Sequence, residues 1–85
     1  MPEIVVYTTR FCPYCVRAKA LLKRNGITDF TEIPVAGSDQ KRQEMIRLSG
    51  RHTVPQVFIG DTHVGGFTEL RNLEESGQLD VLLKH

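Results

Sequence analysis

Residues 4–15 read Ile4-Val5-Val6-Tyr7-Thr8-Thr9-Arg10-Phe11-Cys12-Pro13-Tyr14-Cys15, an apolar run followed closely by two cysteines three residues apart. The apolar run is short and rich in β-branched residues, which predicts a strand that is buried on both faces. Pro13 suits the first position of a helix, where its missing N–H costs nothing and its fixed φ is already helical. We therefore predict a strand that leads into a helix, with Cys12 directly before the first turn.

This placement gives the two cysteines a chemical role. A sulfur at a helix N-terminus meets unpaired backbone N–H groups and the positive end of the helix dipole, and both favour the reactive thiolate over the thiol. Cys15 lies one turn further on the same face, with a Cβ separation of roughly 5–6 Å from Cys12. A disulfide needs about 3.5–4.5 Å, so a small adjustment of the first turn would close one. The sequence predicts a redox-active pair, Cys12 and Cys15.

Two other uses of the motif are less favoured. A structural zinc site needs about four nitrogen or sulfur ligands, and the histidines, His52, His63 and His85, have no spacing typical of zinc ligands. A structural disulfide is expected in secreted proteins, and closing so small a loop removes little chain entropy. Redox chemistry remains the favoured interpretation, and we expect no metal.

Composition excludes several other classes of function. The chain has 85 residues, 40% of them hydrophobic, and a formal net charge of +1. Such a chain can bury one core, and we predict one domain over residues 1–85. The balanced charge indicates neither nucleic-acid binding nor a membrane surface role, and no apolar run approaches the ~20 residues of a membrane span. Met1-Pro2-Glu3 leads directly into the predicted strand without a signal peptide, so we expect a soluble, cytoplasmic protein.

The charges are unevenly distributed around the cysteines. Between Thr8 and Asn25 there are no acidic residues and five basic ones: Arg10, Arg17, Lys19, Lys23 and Arg24. A solvated helix face explains the last two. Arg10 is close enough to Cys12 to stabilise a thiolate and to attract an acidic ligand, so we take it as a candidate binding residue.

Hydrophobic patterning and turn residues define the remaining elements. They predict strands at 4–7, 30–33, 56–59 and 62–64, helices at 13–25, 39–49 and 68–76, and a last amphipathic turn near residues 79–83. On the second helix, we expect Met45, Ile46 and Leu48 to point inward. The order βαβαββα predicts an α/β fold with one mixed four-stranded sheet and helices on both faces. The cysteines then lie at the carboxyl end of the first strand, where such sheets place their chemistry.

Three motifs together resemble those of the glutaredoxins, and most of all the small bacterial dithiol type. They are Cys12-Pro13-Tyr14-Cys15, Thr53-Val54-Pro55 before the third strand, and Gly65-Gly66 before the third helix. The resemblance spans nearly the whole chain. It implies a thioredoxin-like fold, a cis bond between Val54 and Pro55, and glutathione-dependent reduction of protein disulfides and glutathione mixed disulfides.

The resemblance also implies a binding site for glutathione, which has a carboxylate at each end. It places the backbone of Val54 beside Cys12 and lets the ligand approach Gly66 closely. The N–H groups of Phe67, Thr68 and Glu69 would hold the γ-glutamyl carboxylate, with Thr68 or Glu69 binding the α-amino group. The other expected binding residues are Arg10, Tyr14, Thr53 and Pro55.

Two features of this predicted site stay open. The glycine carboxylate would meet Arg10, Arg47 or Arg51, among which the sequence does not choose. Many relatives carry a lysine where this chain has Thr9, and Arg10 is the candidate substitute. Tyr14 would either pack on the ligand or donate its hydroxyl near the sulfur, the alternative being a plain exposed aromatic.

The leading hypothesis is a monomeric enzyme in which Cys12 attacks a mixed disulfide, Cys15 resolves protein disulfides, and glutathione supplies the electrons. One alternative is a similar protein reduced by thioredoxin reductase. Another is an iron–sulfur carrier in which Cys12 and glutathione ligate a cluster shared by two subunits. The protein acceptor is open between ribonucleotide reductase, another reductase and glutathionylated proteins in general.

Overall fold

The computed structural model describes residues 2–84 and, within them, four strands and four helices. In chain order these are β1 (Ile4–Thr8), α1 (Pro13–Arg24), β2 (Thr31–Pro34), α2 (Asp39–Ser49), β3 (Gln56–Ile59), β4 (Thr62–Gly65), α3 (Phe67–Ser76) and α4 (Gln78–Leu83). The predicted elements are all present, and several ends shift by one residue. The predicted last turn is a separate helix, because Gly77 at φ +80° ends α3 and leads directly into α4.

The sheet has the strand order β2-β1-β3-β4. β1 pairs in parallel with β2, whereas β1 with β3 and β3 with β4 are antiparallel. A parallel pair requires a long crossover connection, and α1 provides it. The thioredoxin-like α/β fold with a mixed four-stranded sheet is therefore confirmed, and Cys12 follows closely after the carboxyl end of the central strand β1.

Alternation along β1 distributes the core between the two faces of the sheet. Ile4 and Val6 belong to the larger cluster, formed with α1, α3 and α4. Tyr7 belongs to a smaller cluster with Val35 and with Met45 of α2. Successive side chains of a strand point to opposite faces, so this division confirms helices on both faces.

The second helix has the predicted ends but not the predicted inward face. Ser38 caps α2 by accepting a hydrogen bond from the Lys41 N–H at 3.2 Å, and Gly50 ends it at φ +73°. Met45 is fully buried, but the prediction that Leu48 points inward is wrong, because its side chain is 52% exposed. Leu48 instead lines an open cleft together with residues of β1, β2 and β3.

Candidate active site

Both cysteines lie at the start of α1, as predicted, and both are free thiols. Cys12 is the N-cap residue at φ −87° and ψ 117°, and Pro13 is the first helical residue. The Cys12 carbonyl accepts the first helical hydrogen bond, from the Val16 N–H at 3.1 Å. Cys12 is partly exposed, whereas Cys15 is 1% exposed. An incoming disulfide can therefore reach Cys12 but not Cys15.

The Cys12 sulfur faces the segment before β3. Its thiol lies 3.8 Å from the Val54 carbonyl oxygen and donates to it. The bond between Val54 and Pro55 is cis, as the resemblance implied. A thiolate cannot donate a hydrogen bond, so this contact belongs to the thiol form and releases the Val54 carbonyl when Cys12 ionises.

The Cys15 sulfur has a different environment. Burial raises its pKa to about 11, and the neighbouring Cys12 sulfur adds to this. A hydrogen bond from the Thr9 backbone and the positive charge of Lys19 act in the opposite direction. Cys15 is therefore a thiol at neutral pH, and it must lose its proton before it can attack another sulfur.

A groove of about 170 Å³ extends from Tyr14 of α1 to the start of α3. Its lining residues are Tyr14, Arg51, Thr53, Val54, Pro55, Gly66, Phe67, Thr68 and Glu69. The structure thus brings together eight of the predicted binding residues. The rings of Tyr14 and Phe67 have centroids 6.2 Å apart, so Tyr14 forms part of the groove wall and is not an isolated exposed aromatic.

Arg10 does not line this groove. It borders a separate cleft that also includes Thr9, Lys19 and Glu32. Its guanidinium lies 6.0 Å from the centre of the exposed Phe11 ring. Among the three basic residues left open by the sequence, Arg51 is the one that lines the groove.

Arg51 and Glu69 form an ion pair at the groove, with Arg51 Nη1 2.6 Å from Glu69 Oε1. The same carboxylate oxygen accepts the Gly66 N–H at 2.8 Å. The Gly66 hydrogen bond and then Arg51 hold the pKa of Glu69 below its usual range. One cation and one anion thus lie together in the groove, and the sequence could not reveal this pairing because 18 residues separate the partners.

A buried polar contact that sequence reasoning missed supports the Thr53–Pro55 segment. Gln56 is fully buried, and its Nε2 donates to the Thr53 carbonyl at 3.0 Å and to the Thr53 hydroxyl at 3.2 Å. Gln56 Oε1 accepts from His63 Nε2 at 2.7 Å, so that nitrogen carries the proton. Burial, with Arg51 adding to it, lowers the pKa of His63. This chain of contacts connects β4 through β3 to the groove. Its only signal in the sequence was a polar residue, Gln56, at the start of an otherwise apolar strand.

Neither a metal cluster nor a membrane span is found in the part of the chain that the structure describes. No group of three or more His, Cys, Asp or Glu side chains within residues 2–84 is arranged to hold a metal ion. No helix among the same residues is long and apolar enough to cross a membrane. The expectation that no metal is used stays a prediction.

Comparisons with known proteins agree with this geometry. The glutaredoxin family profile matches residues 4–64. A glutaredoxin of Pseudomonas aeruginosa is 54% identical over 83 residues, which cover 98% of each chain. The solution structure of a Brucella melitensis glutaredoxin matches with a TM-score of 0.86 at 51% identity, covering 99% of this chain and 90% of that one. A buckwheat glutaredoxin–glutathione complex matches with a TM-score of 0.85 at 28% identity, covering 98% and 77%. The chain belongs to the glutaredoxin family, whose members are thiol–disulfide oxidoreductases.

Proposed function

We propose that this protein reduces glutathione mixed disulfides and protein disulfides with electrons from glutathione. The observation that carries the proposal is the position of the Cys12 sulfur, 3.8 Å from the Val54 carbonyl at the groove described above. The more exposed sulfur of the pair is thus next to a site with both charges needed to bind a small zwitterionic peptide. The buckwheat relative in complex with glutathione supports this choice of ligand.

The groove offers complementary groups to each part of glutathione. The backbone of Val54 can pair with the cysteinyl residue of the ligand, in the manner of a single residue of added strand. A ligand carboxylate suits Arg51 or the N–H groups at the start of α3, and the ligand ammonium suits Glu69. Because Arg51 and Glu69 neutralise each other in the free protein, glutathione would exchange one ion pair for two.

Two routes of reduction then follow from the positions of the sulfurs. In the first, the Cys12 thiolate attacks the glutathione sulfur of a mixed disulfide and the target thiol leaves. A second glutathione then attacks the Cys12 adduct, releasing glutathione disulfide. In the second, Cys12 attacks a protein disulfide, and the buried Cys15 attacks Cys12 to release the reduced protein. The Cys12–Cys15 disulfide that this forms is reduced by two glutathione molecules, which leave as glutathione disulfide. The second route alone requires Cys15.

The source of electrons separates this proposal from its rival, a protein reduced by thioredoxin reductase. Glutathione and thioredoxin systems both keep cytosolic thiols reduced, and a cytoplasmic location is part of the proposal. The test is NADPH consumption during reduction of a small glutathione mixed disulfide, coupled either to glutathione with glutathione reductase or to thioredoxin reductase alone. We expect turnover with the first couple only. Turnover with thioredoxin reductase and none with glutathione would contradict the proposal.

A further inference from the structure

A second cleft lies next to the redox pair, apart from the groove proposed for glutathione. It has a volume of about 580 Å³ and is lined by Thr8, Thr9, Arg10, Lys19, Glu32, Pro34 and Ala36. Three of these side chains are joined by hydrogen bonds. Lys19 Nζ lies 3.0 Å from Glu32 Oε2, and the same oxygen accepts the Thr8 hydroxyl at 2.9 Å. Thr8 is 1% exposed, so this cluster has a rigid base in the sheet.

The cluster is adjacent to Cys15. Lys19 follows Cys15 by four residues on α1 and therefore lies on the same helix face one turn away. Thr9, which also lines the cleft, contributes the backbone hydrogen bond to the Cys15 sulfur. The Lys19 charge also lowers the pKa of Cys15, although less than the Thr9 hydrogen bond does. The groups that favour ionisation of Cys15 are thus found on the cleft side of α1.

The dithiol route needs that ionisation at a specific step. With Cys12 joined to a target sulfur, Cys15 loses its proton and attacks the Cys12 sulfur. The bond between Cys12 and the target breaks, the bond between Cys12 and Cys15 forms, and the departing sulfur takes up a proton. In this step Cys15 is oxidised and the departing sulfur is reduced, while Cys12 remains in a disulfide; over both attacks of the route, the target disulfide is reduced by two electrons. Because the Cys15 sulfur is buried, the loss of its proton, which begins this step, is unfavourable.

We propose that Lys19 is a positioning residue for this resolving step, with its ammonium stabilising the Cys15 thiolate as Cys15 attacks Cys12. Glu32 on β2, held by Thr8 on β1, keeps the ammonium at the helix, since a lysine side chain that is 29% exposed would otherwise sample many conformations in solvent. Glu32 also offsets part of the positive charge, so the effect on Cys15 is moderate. The inference rests on the dithiol route of the proposed function.

The test follows the resolving step alone. Reduced protein is mixed with hydroxyethyl disulfide, which gives a mercaptoethanol adduct on Cys12 without using the glutathione groove. Samples are quenched with acid, alkylated and analysed by mass spectrometry for the adduct and for the Cys12–Cys15 disulfide. We expect Lys19→Met to convert the adduct roughly threefold to tenfold more slowly, as for one partly screened charge. Lys19→Arg, which keeps the charge, should retain at least half of the wild-type rate.

Lys23→Met is the matched control. Lys23 is an exposed lysine one turn further along α1 that also acts on Glu32 electrostatically but is not among the groups acting on Cys15. Its removal should leave the resolving rate unchanged, and the formation of the adduct on Cys12 should be equally fast in all variants. Equal slowing in Lys19→Met and Lys23→Met, unchanged resolution in Lys19→Met, or no rescue by Lys19→Arg would each overturn the inference.

Failure of this inference and failure of the proposed function are distinguishable. Loss of glutathione-coupled turnover in the wild type would remove the proposed function while leaving the mercaptoethanol readout intact. A wild-type adduct that never converts to the intramolecular disulfide would overturn the role of Lys19 even where glutathione turnover is normal.

Discussion

Arg51→Gln is the substitution that best tests how the groove recognises glutathione. Arg51 is the basic side chain of the groove lining, and its Nη1 lies 2.6 Å from Glu69 Oε1. Glutamine keeps a hydrogen-bonding side chain of moderate length but removes the charge that a ligand carboxylate would meet. It also leaves Glu69 without its ion-pair partner, so the groove becomes net negative and repels an anionic peptide.

The expected loss of affinity for glutathione follows from how far the two side chains are exposed to solvent. The side chains of Arg51 and Glu69 are 48% and 38% exposed. Exposed ion pairs contribute about 0.2–1 kcal/mol, and hydrogen bonds to charged groups with less solvent contribute about 1.5–3 kcal/mol. For a half-exposed guanidinium we expect about 1 kcal/mol, which corresponds to roughly fivefold in an equilibrium constant. The KM for glutathione should therefore rise about fivefold with little change in kcat.

The assay is glutathione-coupled reduction of a small mixed disulfide at varied glutathione concentration. Arg10→Gln and Arg47→Gln are the controls, since both remove one positive charge outside the groove lining. Their KM values should stay within about twofold of wild type, as expected for screened charges. A normal KM in Arg51→Gln, or an equal rise in all three variants, would refute the assignment of Arg51 to the ligand.

Three further predictions concern the frame of the site. Gly65→Ala should raise the KM for glutathione and lower the free energy of unfolding, because Gly65 has φ +117° and an added Cβ would come 2.5 Å from Glu69 Oε1. An unchanged KM in steady-state kinetics would argue against a role of Gly65 in positioning Glu69. Met45→Ala should lower the free energy of unfolding, measured in urea, by about 2–5 kcal/mol, since Met45 is fully buried in the smaller core cluster between α2 and the sheet. A loss below about 1 kcal/mol would mean that the neighbouring side chains fill the cavity left by the substitution. Hydrogen bonds from Arg24 and then Asn25 lower the pKa of Glu74 from its ordinary 4.5 to about 2. Glu74→Gln should therefore lower the melting temperature at pH 6, and the difference in melting temperature from wild type should shrink as the pH falls from 4.5 towards 2. A constant difference across that range would count against the contact.

Much of the fold was predictable because local signals agreed with the tertiary arrangement. The β-branched run of β1 and the proline at the start of α1 determined the position of Cys12. Glycines marked the ends of α2 and α3, where φ is +73° and +80°. Leu48 was predicted incorrectly because a helical pattern identifies an apolar residue but not whether other side chains cover it, and Leu48 lines an open cleft.

The residues of the candidate site were predictable, but the pairing of their charges was not. The resemblance named Glu69 as a ligand for an ammonium group, and the structure adds that this carboxylate is already paired with Arg51. Such a contact depends on how the loop after α2 meets the start of α3 in space, and periodicity carries no information about that. The direction of Arg10 was unpredictable for the same reason, since a side chain in the connection between β1 and α1 can point to either side of the cysteines.

The most direct test of the account measures deglutathionylation and protein-disulfide reduction with both single-cysteine variants. Attack on a glutathione mixed disulfide needs one accessible thiolate, whereas the dithiol route needs a second thiol one turn away. Cys15→Ser should keep glutathione-dependent removal of glutathione from a mixed disulfide and lose most protein-disulfide reduction by the dithiol route. Cys12→Ser should lose both, because Cys15 is 1% exposed and burial raises its pKa to about 11. Substantial deglutathionylation by Cys12→Ser would contradict the assignment of Cys12 as the nucleophile.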